Sequence, residues 1–181
     1  MSSPASDSRP RAVLTITMSS FPSARVVGAV SRLVSEFCHS LIDDPDIVAR
    51  FHMAAQELAE NIAKYSSGPD VSISAELLGP DTSAVLRLQA RNRGTPEQLQ
   101  DVERRLRELK SAADPIELYD RLIRETAPLD DVSGLGLVRI RAECGLNVDY
   151  AIEGSELTIS VHSSIAPQSA RRVLPGIKGS A

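Results

Sequence analysis

The chain has 181 residues, of which 42% are hydrophobic, so its length and composition suit one domain with an ordinary core. Its net charge of −4 at pH 7 argues against nucleic acid as a partner, because nucleic-acid binding requires clustered positive charge. No apolar run is long enough to span a bilayer and the Ser- and Pro-rich start lacks a signal-peptide core, so we expect a cytoplasmic protein. Cys38 and Cys144 suggest neither a disulfide framework nor a zinc site, and we expect two buried thiols.

The first part of the chain predicts a strand and two helices behind a disordered tail at residues 1–10. Residues 11–18 place two sets of side chains in alternation, which is typical of a strand. Residues 23–41 carry apolar side chains at helical spacing. Asp44-Pro45 then ends this helix and begins a longer one that runs to Tyr65.

The second part of the chain alternates strand pairs with helices. In order, we predict strands 71–78 and 84–91, a loop at 92–96, helices 96–110, 115–127 and 134–144, and strands 147–152 and 156–162. Helix 96–110 is dense in charge, which favours a solvated face, and residues 163–181 are expected to be a loose tail. Because strands and helices do not alternate one for one, we predict an α+β, two-layer α/β sandwich with a mixed or antiparallel sheet.

The long helix carries a selected set of polar side chains on one face. At about 100° per residue, Glu57, Glu60, Asn61 and Lys64 lie on the same side of the helix. The simpler interpretation is a solvated face on which Glu60 and Lys64 form an ion pair. Asn61 favours a functional interpretation, because a mid-helix Asn competes for backbone hydrogen bonds and its amide oxygen suits Mg²⁺.

A glycine pair opens the last predicted helix, in the sequence Ser-Gly-Leu-Gly-Leu at residues 133–137. Free backbone N–H groups and the positive end of a helix form a place where an anion binds. A plain tight turn is the alternative interpretation. The position of the pair, after a helical insertion and before an apolar helix, favours a phosphate turn.

Together these segments resemble the GHKL ATPases, which have the Bergerat or histidine-kinase-like ATPase fold. Residues 56–65 are similar to the N-box of histidine kinases and anti-sigma-factor serine kinases. Residues 133–137 resemble the second glycine box, and residues 91–96 stand where the first glycine box is expected. The resemblance covers about residues 11–162, which would form the ATP-binding kinase domain, with a lid at about residues 95–132.

A closer resemblance is to the small SiaB-like partner-switching kinases, through residues 92–97, Leu118-Tyr119 and the glycine pair. It implies an ATP- and Mg²⁺-dependent enzyme that phosphorylates Ser or Thr on a STAS-domain partner in bacterial partner-switching signalling. The alternative is a GHKL-fold binding module that sequesters a regulatory partner without phosphorylating it. Whether the chain forms a homodimer stays open.

The resemblance also implies a role for each matching residue. Glu57 would be the catalytic base, Asn61 the Mg²⁺ ligand and Lys64 a phosphate contact. The nucleotide-binding residues implied are Asn61, Lys64, Asn92, Gly94, Gly134, Leu135, Gly136 and Leu137. Asn92 stands where the family usually has an Asp that accepts a hydrogen bond from adenine, and Pro96 replaces a glycine, so we expect weaker ATP binding and looser base selectivity.

Overall fold

A computed structural model describes residues 11–19, 24–68, 70–80, 82–126 and 135–169 of the chain. In chain order, the elements are β1 (Ala12–Met18), α1 (Ala24–Leu41), α2 (Pro45–Tyr65), β2 (Val71–Leu78), β3 (Ala84–Arg93), α3 (Pro96–Ser111), α4 (Pro115–Thr126), α5 (Leu135–Ala142), β4 (Asn147–Glu153) and β5 (Glu156–Ile165). This order confirms the α+β prediction. The tail predicted at residues 1–10 and Gly134 of the predicted phosphate turn lie outside the described residues.

The strands form one sheet in the order β1-β2-β3-β5-β4, and every neighbouring pair is antiparallel. Side chains alternate between the core and the opposite face, so that Val71, Ile73, Ala75 and Leu77 of β2 are buried. Contacts link α1 to β2, α2 to β3 and α5 to β4. The described chain therefore has helices on the buried face of an antiparallel sheet.

The second helix, α2, has the predicted bounds because strong signals mark both of its ends. The Asp44 carboxylate accepts hydrogen bonds from the backbone N–H groups of Asp46 and Ile47 at 3.1 and 3.2 Å, and Pro45 occupies the first turn. At the other end the Ser66 N–H donates to the Ile62 carbonyl at 3.0 Å. The buried face of α2 includes Phe51, Ala54, Leu58 and Ile62. Packing of this face fixes which way the polar face of the helix points.

The strand β3 is longer than predicted, and this changes the setting of Asn92. Asn92 and Arg93 continue the antiparallel ladder, opposite Leu157 and Glu156 of β5. The prediction of a loop at residues 92–96 is therefore wrong for its first two residues. Asn92 and Arg93 are polar residues, which do not by themselves predict a strand. Their pairing partners belong to β5, far along the chain.

The predicted end of the last strand at His162 is also wrong, since β5 continues to Ile165, which is buried. Residues 163–165 complete the ladder opposite residues 84–86 at the start of β3. Beyond the strand, the Ser169 carbonyl accepts a hydrogen bond from the Asp43 N–H at 2.7 Å. Residues 163–169 are thus part of the packed domain, and the rest of the predicted tail lies outside the described residues.

The remaining differences are small. The helix predicted at residues 134–144 is α5, which ends earlier, at Ala142, and the chain then turns at Gly145 with a φ of 62°. Cys38 and Cys144 are buried free thiols, as predicted. Across the described ranges, none of the helices combines the length and apolar character that crossing a membrane requires.

The charged helix α3 is solvated on one side, as predicted, and buried on the other. Its exposed residues pair along the helix, for example Arg107 with Glu103 at 2.6 Å. Its C-terminal end is joined to β4 by the Lys110 ammonium, which lies 2.6 Å from an Asp149 carboxylate oxygen. The buried side is formed by Leu99, Leu106 and Leu109.

Candidate functional site

The predicted base, Glu57, lies at the contact between α2 and α5. Its Oε1 atom accepts a hydrogen bond from Nη1 of Arg139 at 3.0 Å. The Glu57 side chain is only 14% exposed, whereas that of Arg139 is 41% exposed. On the other side of the carboxylate, a Cβ atom added at Gly136 would overlap Glu57 Oε2. The Glu57 carboxylate is therefore held between the backbone at the start of α5 and a guanidinium one turn later.

Arg139 is a site residue to which the sequence analysis gave no role. Its Nε donates to a Glu143 carboxylate oxygen at 2.7 Å, so the guanidinium bridges two carboxylates. The sequence does contain one signal for Arg139. It lies three residues beyond Gly136, and residues three apart on a helix share a face. Tyr119 of α4 belongs to the same cluster, since burial and the nearby Glu143 raise the pKa of its hydroxyl.

The electrostatics of the cluster make Glu57 more basic than a solvated carboxylate. Burial raises the pKa of Glu57 above its ordinary value of 4.5, and the negative charge of Glu60 adds to this rise. Arg139 and Lys64 act in the opposite direction. Hydrogen bonding to Glu143 is the main cause that raises the pKa of Arg139, which therefore stays charged. A carboxylate with a raised pKa is a stronger base than a solvated one.

A small cavity, here called the amide cavity, lies beside this cluster and is lined by Asn61, Asn92 and apolar side chains of α2, β3 and β5. Leu137 of α5 lines one side, and Val102 of α3, which lies in the predicted lid, lines another. Its volume is about 20 Å³. That is room for about one water molecule, far below the roughly 300–1,000 Å³ of a usual ligand pocket. A nucleotide base would fit only after α3 moved away.

The two amides of the cavity are poorly satisfied by the protein. Asn61 Nδ2 is buried and has no hydrogen-bond partner within the described part of the chain. Asn92 is only 6% exposed, and its Nδ2 donates over a long 3.4 Å to the Arg93 carbonyl. Buried amides normally find partners, so these two fit a site that receives a polar ligand.

Among the residues that the structure describes, no group of three or more His, Cys, Asp or Glu side chains is placed to hold a metal ion. The Mg²⁺ contact that the resemblance implies would use the Asn61 oxygen, with nucleotide phosphates and water as the other ligands.

The other predicted residues lie farther from this centre. Lys64 is exposed in the last turn of α2, and Glu60 accepts a hydrogen bond from Gln56 at 3.1 Å. Gly94 is packed beneath α3, since a Cβ there would lie 3.1 Å from Leu99 Cδ2, and its N–H donates to the Ser155 carbonyl. Leu135 is half-buried at the first position of α5. Gly94 thus has a packing role that the sequence did not indicate.

The structure therefore brings most of the predicted residues into two adjoining places. Asn61, Asn92 and Leu137 line the amide cavity. Glu57 and Gly136 are in close contact with each other. Both are next to the cavity in the chain, since Glu57 precedes Leu58 and Gly136 precedes Leu137, and these two leucines line the cavity. A second, larger pocket of about 370 Å³ lies between α3 and α4, and its lining includes none of the predicted site residues.

Comparison with solved structures identifies a similar fold. The chain matches a chain of the SiaB–SiaC complex from Pseudomonas aeruginosa with a TM-score of 0.57 and 14% sequence identity, over 84% of this chain and 89% of that one. No protein-family model and no curated protein matches the sequence. At this identity the likeness concerns the fold alone, so the chain is an α+β protein with a SiaB-like structural neighbour.

Proposed function

We propose that this chain binds ATP with Mg²⁺ beside the amide cavity and phosphorylates a Ser or Thr residue of a STAS-domain partner. The observation that carries the proposal is the buried Asn61 amide, whose donor has no partner within the described chain, in one cavity with Asn92 and next to Glu57. Amides suit both a hard cation and a purine edge. A half-buried carboxylate beside them supplies the base that a hydroxyl acceptor needs.

Each residue would have a distinct part in binding and transfer. The Asn61 oxygen would hold Mg²⁺, which neutralises phosphate charge when it is bound. The backbone N–H groups at the start of α5, including those of Gly136 and Leu137, would hold phosphate oxygens at the positive end of the helix. Asn92 would contact the base. Glu57 would accept the proton that the acceptor hydroxyl loses, because burial makes it more basic.

The lid helix α3 has to move for a nucleotide to enter, since Val102 closes the amide cavity. The C-terminal end of α3 is joined to β4 through Lys110 and Asp149, whereas its N-terminal end follows the last residues of β3. Movement of the N-terminal part would open the cavity while the far end stays anchored. Nucleotide binding would then change the shape of the lid, which is also the natural surface for a partner.

Action on a separate protein is supported by the structural neighbour, which was crystallised as a complex of two named proteins, SiaB and SiaC. A kinase with this fold needs an acceptor, and the proposed acceptor is a STAS-domain protein of a bacterial partner-switching system. Transfer would add roughly two negative charges to the interface. Close to Glu57 and Glu60, those charges would weaken the complex.

A second candidate function is a binding module that sequesters the partner without phosphorylating it. Two observations favour it: the amide cavity holds about 20 Å³, and the Glu57 carboxylate is already engaged by Arg139 at 3.0 Å. In such a module the α2–α5 ion pair would stabilise the fold, and α3 would stay closed.

One experiment separates the two candidates. Mg²⁺–ATP is titrated into the chain by calorimetry, and the chain is then incubated with Mg²⁺–ATP and candidate STAS-domain proteins for intact-mass analysis. We expect binding and the mass increase of one phosphoryl group on the partner, and neither with Asn61→Ala. A complex that forms with a STAS protein, adds no phosphate and ignores ATP would establish the binding module instead.

A further inference from the structure

The Glu57 carboxylate lies beside the first turn of α5. One of its oxygens lies against Gly136, in the first turn of this eight-residue helix, and the other accepts from Arg139 at 3.0 Å. The first N–H groups of a helix have no partner within the helix, and they attract negative charge. A side-chain anion therefore already lies between the helix start and the nearest guanidinium.

The guanidinium of Arg139 is arranged so that one end is fixed while the other can change partner. Nε is held by Glu143 at 2.7 Å, and Nη1 donates to Glu57. Side chains on a helix lean toward its N-terminus, so the terminal nitrogens of Arg139 extend toward the start of α5. The guanidinium is planar, and its outer fork of Nη1 and Nη2 can face a second anion while Nε keeps its partner. Arg139 is 41% exposed, so an incoming anion can reach that fork.

We propose that Arg139 is a phosphate-binding residue that Glu57 holds until nucleotide arrives, and that the two anions exchange places on its guanidinium. This inference rests on the proposed function, since it concerns the phosphates of the same nucleotide. Nη1 and Nη2 donate to the phosphate in place of Glu57, whereas Nε stays on Glu143. Glu57 loses its hydrogen-bonded cation and becomes the free base of the site.

The chemistry of the groups favours this exchange. A phosphate group carries more negative charge than a carboxylate, and the planar fork of Arg matches two of its oxygens at once. Once Glu57 is released, its burial and the negative charge of Glu60 still raise its pKa. Of the identified groups that lower this pKa, only Lys64 then remains. Nucleotide binding thus prepares the base that acts on the acceptor.

The exchange is tested by the affinity for Mg²⁺–ATP, measured by calorimetry in the full chain, with no step of catalysis involved. The variants are Arg139→Ala, Arg139→Gln, Glu57→Gln and the double variant Glu57→Gln/Arg139→Ala. Arg141→Ala is the matched control, because it removes an arginine from the same helix that has no described contact with Glu57. Circular dichroism of each variant verifies that the fold is retained.

We expect Arg139→Ala and Arg139→Gln to weaken Mg²⁺–ATP binding about tenfold or more, as the loss of a charge-assisted bond predicts. Glu57→Gln should tighten Mg²⁺–ATP binding several-fold because it removes the competing anion. In the Glu57→Gln background, Arg139→Ala should then lower the affinity for Mg²⁺–ATP by a larger factor than it does in the wild type. Arg141→Ala should stay within about twofold of the wild type.

Affinities of Arg139→Ala and Arg139→Gln equal to that of the wild type would overturn the exchange and leave the proposed function standing. Binding by Glu57→Gln but not by the wild type would support the exchange in its strongest form, with Glu57 as a block. Absence of Mg²⁺–ATP binding in both the wild type and Glu57→Gln would overturn the inference together with the proposed function.

Discussion

Glu57 and Gly136 touch across the α2–α5 contact so closely that a single methyl group on Gly136 would overlap the Glu57 carboxylate. The conformation of Gly136 does not demand glycine, because positive φ angles in the described chain occur only at Asp70 and at Gly79, Gly145 and Gly154. The requirement comes from the neighbouring side chain. Gly136 thus has a structural reason to be glycine, beside the phosphate contact predicted for it.

The first prediction compares two glycine-to-alanine changes within helices. Gly28→Ala adds a methyl group that meets only the end of the Arg32 side chain at 3.4 Å, so it should raise the free energy of unfolding by about 0.5–1 kcal/mol. Gly136→Ala, in the first turn of α5, displaces Glu57 and breaks its contact with Arg139, a partly exposed pair worth up to about 1 kcal/mol. We therefore expect Gly136→Ala to be less stable than Gly28→Ala and no more stable than the wild type. Urea unfolding of both variants measures the difference, and an equal gain in both would contradict the described contact.

The second prediction concerns the unpartnered amide of Asn61. Asn61→Leu removes a buried donor without leaving a large cavity, and an unsatisfied buried donor costs about 1–3 kcal/mol. We therefore expect Asn61→Leu to have a higher free energy of unfolding and to lose Mg²⁺–ATP binding. Replacement of a purely structural residue would instead lower the free energy of unfolding and leave binding unchanged. Asn147→Leu, at an exposed position of β4, should change both quantities little. A clear loss of stability in Asn61→Leu would show that the amide has a partner after all.

The third prediction follows from the raised pKa of Glu57. A carboxyl group whose pKa is higher in the folded chain than in the unfolded chain is most compatible with folding when protonated. Its contribution to stability is therefore present below the unfolded pKa, close to 4.5, and is lost as the pH rises through the folded pKa. Glu57→Gln removes this dependence, so its stability relative to the wild type should increase with pH above about 4.5 and then level off. Urea titrations of both proteins between pH 4 and pH 8 measure the difference, and a constant difference would refute the shift.

Local signals explain why much of the fold could be predicted from the sequence. Asp44-Pro45 and the polar residues after Tyr65 mark both ends of α2, and the period of its apolar residues shows which face is buried. The contact of Glu57 with Arg139 joins residues 82 positions apart, and no pattern within either helix reveals it. The strand setting of Asn92 likewise depends on its partner Leu157 in a distant hairpin. Local patterns thus suggested candidate residues such as Glu57, whereas their pairing, including the contact with Arg139, depended on tertiary packing.

The fourth prediction concerns base selectivity at Asn92. An amide can either donate or accept, whereas a carboxylate only accepts and so favours the amino group of adenine over the carbonyl of guanine. Asn92→Asp should tighten ATP binding and widen the gap between ATP and GTP. Because position 92 is buried, the new carboxylate should also lower the stability of the nucleotide-free chain. Calorimetry with both nucleotides measures the gap, with Asn147→Asp as an exposed control. Strong rejection of GTP by the wild type would mean that another group reads the base.

The fifth prediction places the STAS-domain partner on the lid. Ile116 and Ile123 of α4 are 59% and 41% exposed, and they lie seven residues apart, about two helical turns, so they share one face. Large apolar side chains grouped on a surface often mark a protein interface. Since α4 lies in the predicted lid, a partner bound there would sense the position of α3 and hence the nucleotide. Ile116→Asp and Ile123→Asp should each weaken binding of the STAS-domain partner at least tenfold in a pull-down or calorimetric titration, while Mg²⁺–ATP affinity stays unchanged.

Leu33→Asp on α1 is the matched control, because Leu33 is equally apolar and 52% exposed but belongs to a helix outside the lid. Equal weakening by Leu33→Asp and the two lid variants would place the partner elsewhere or attribute the effect to solubility.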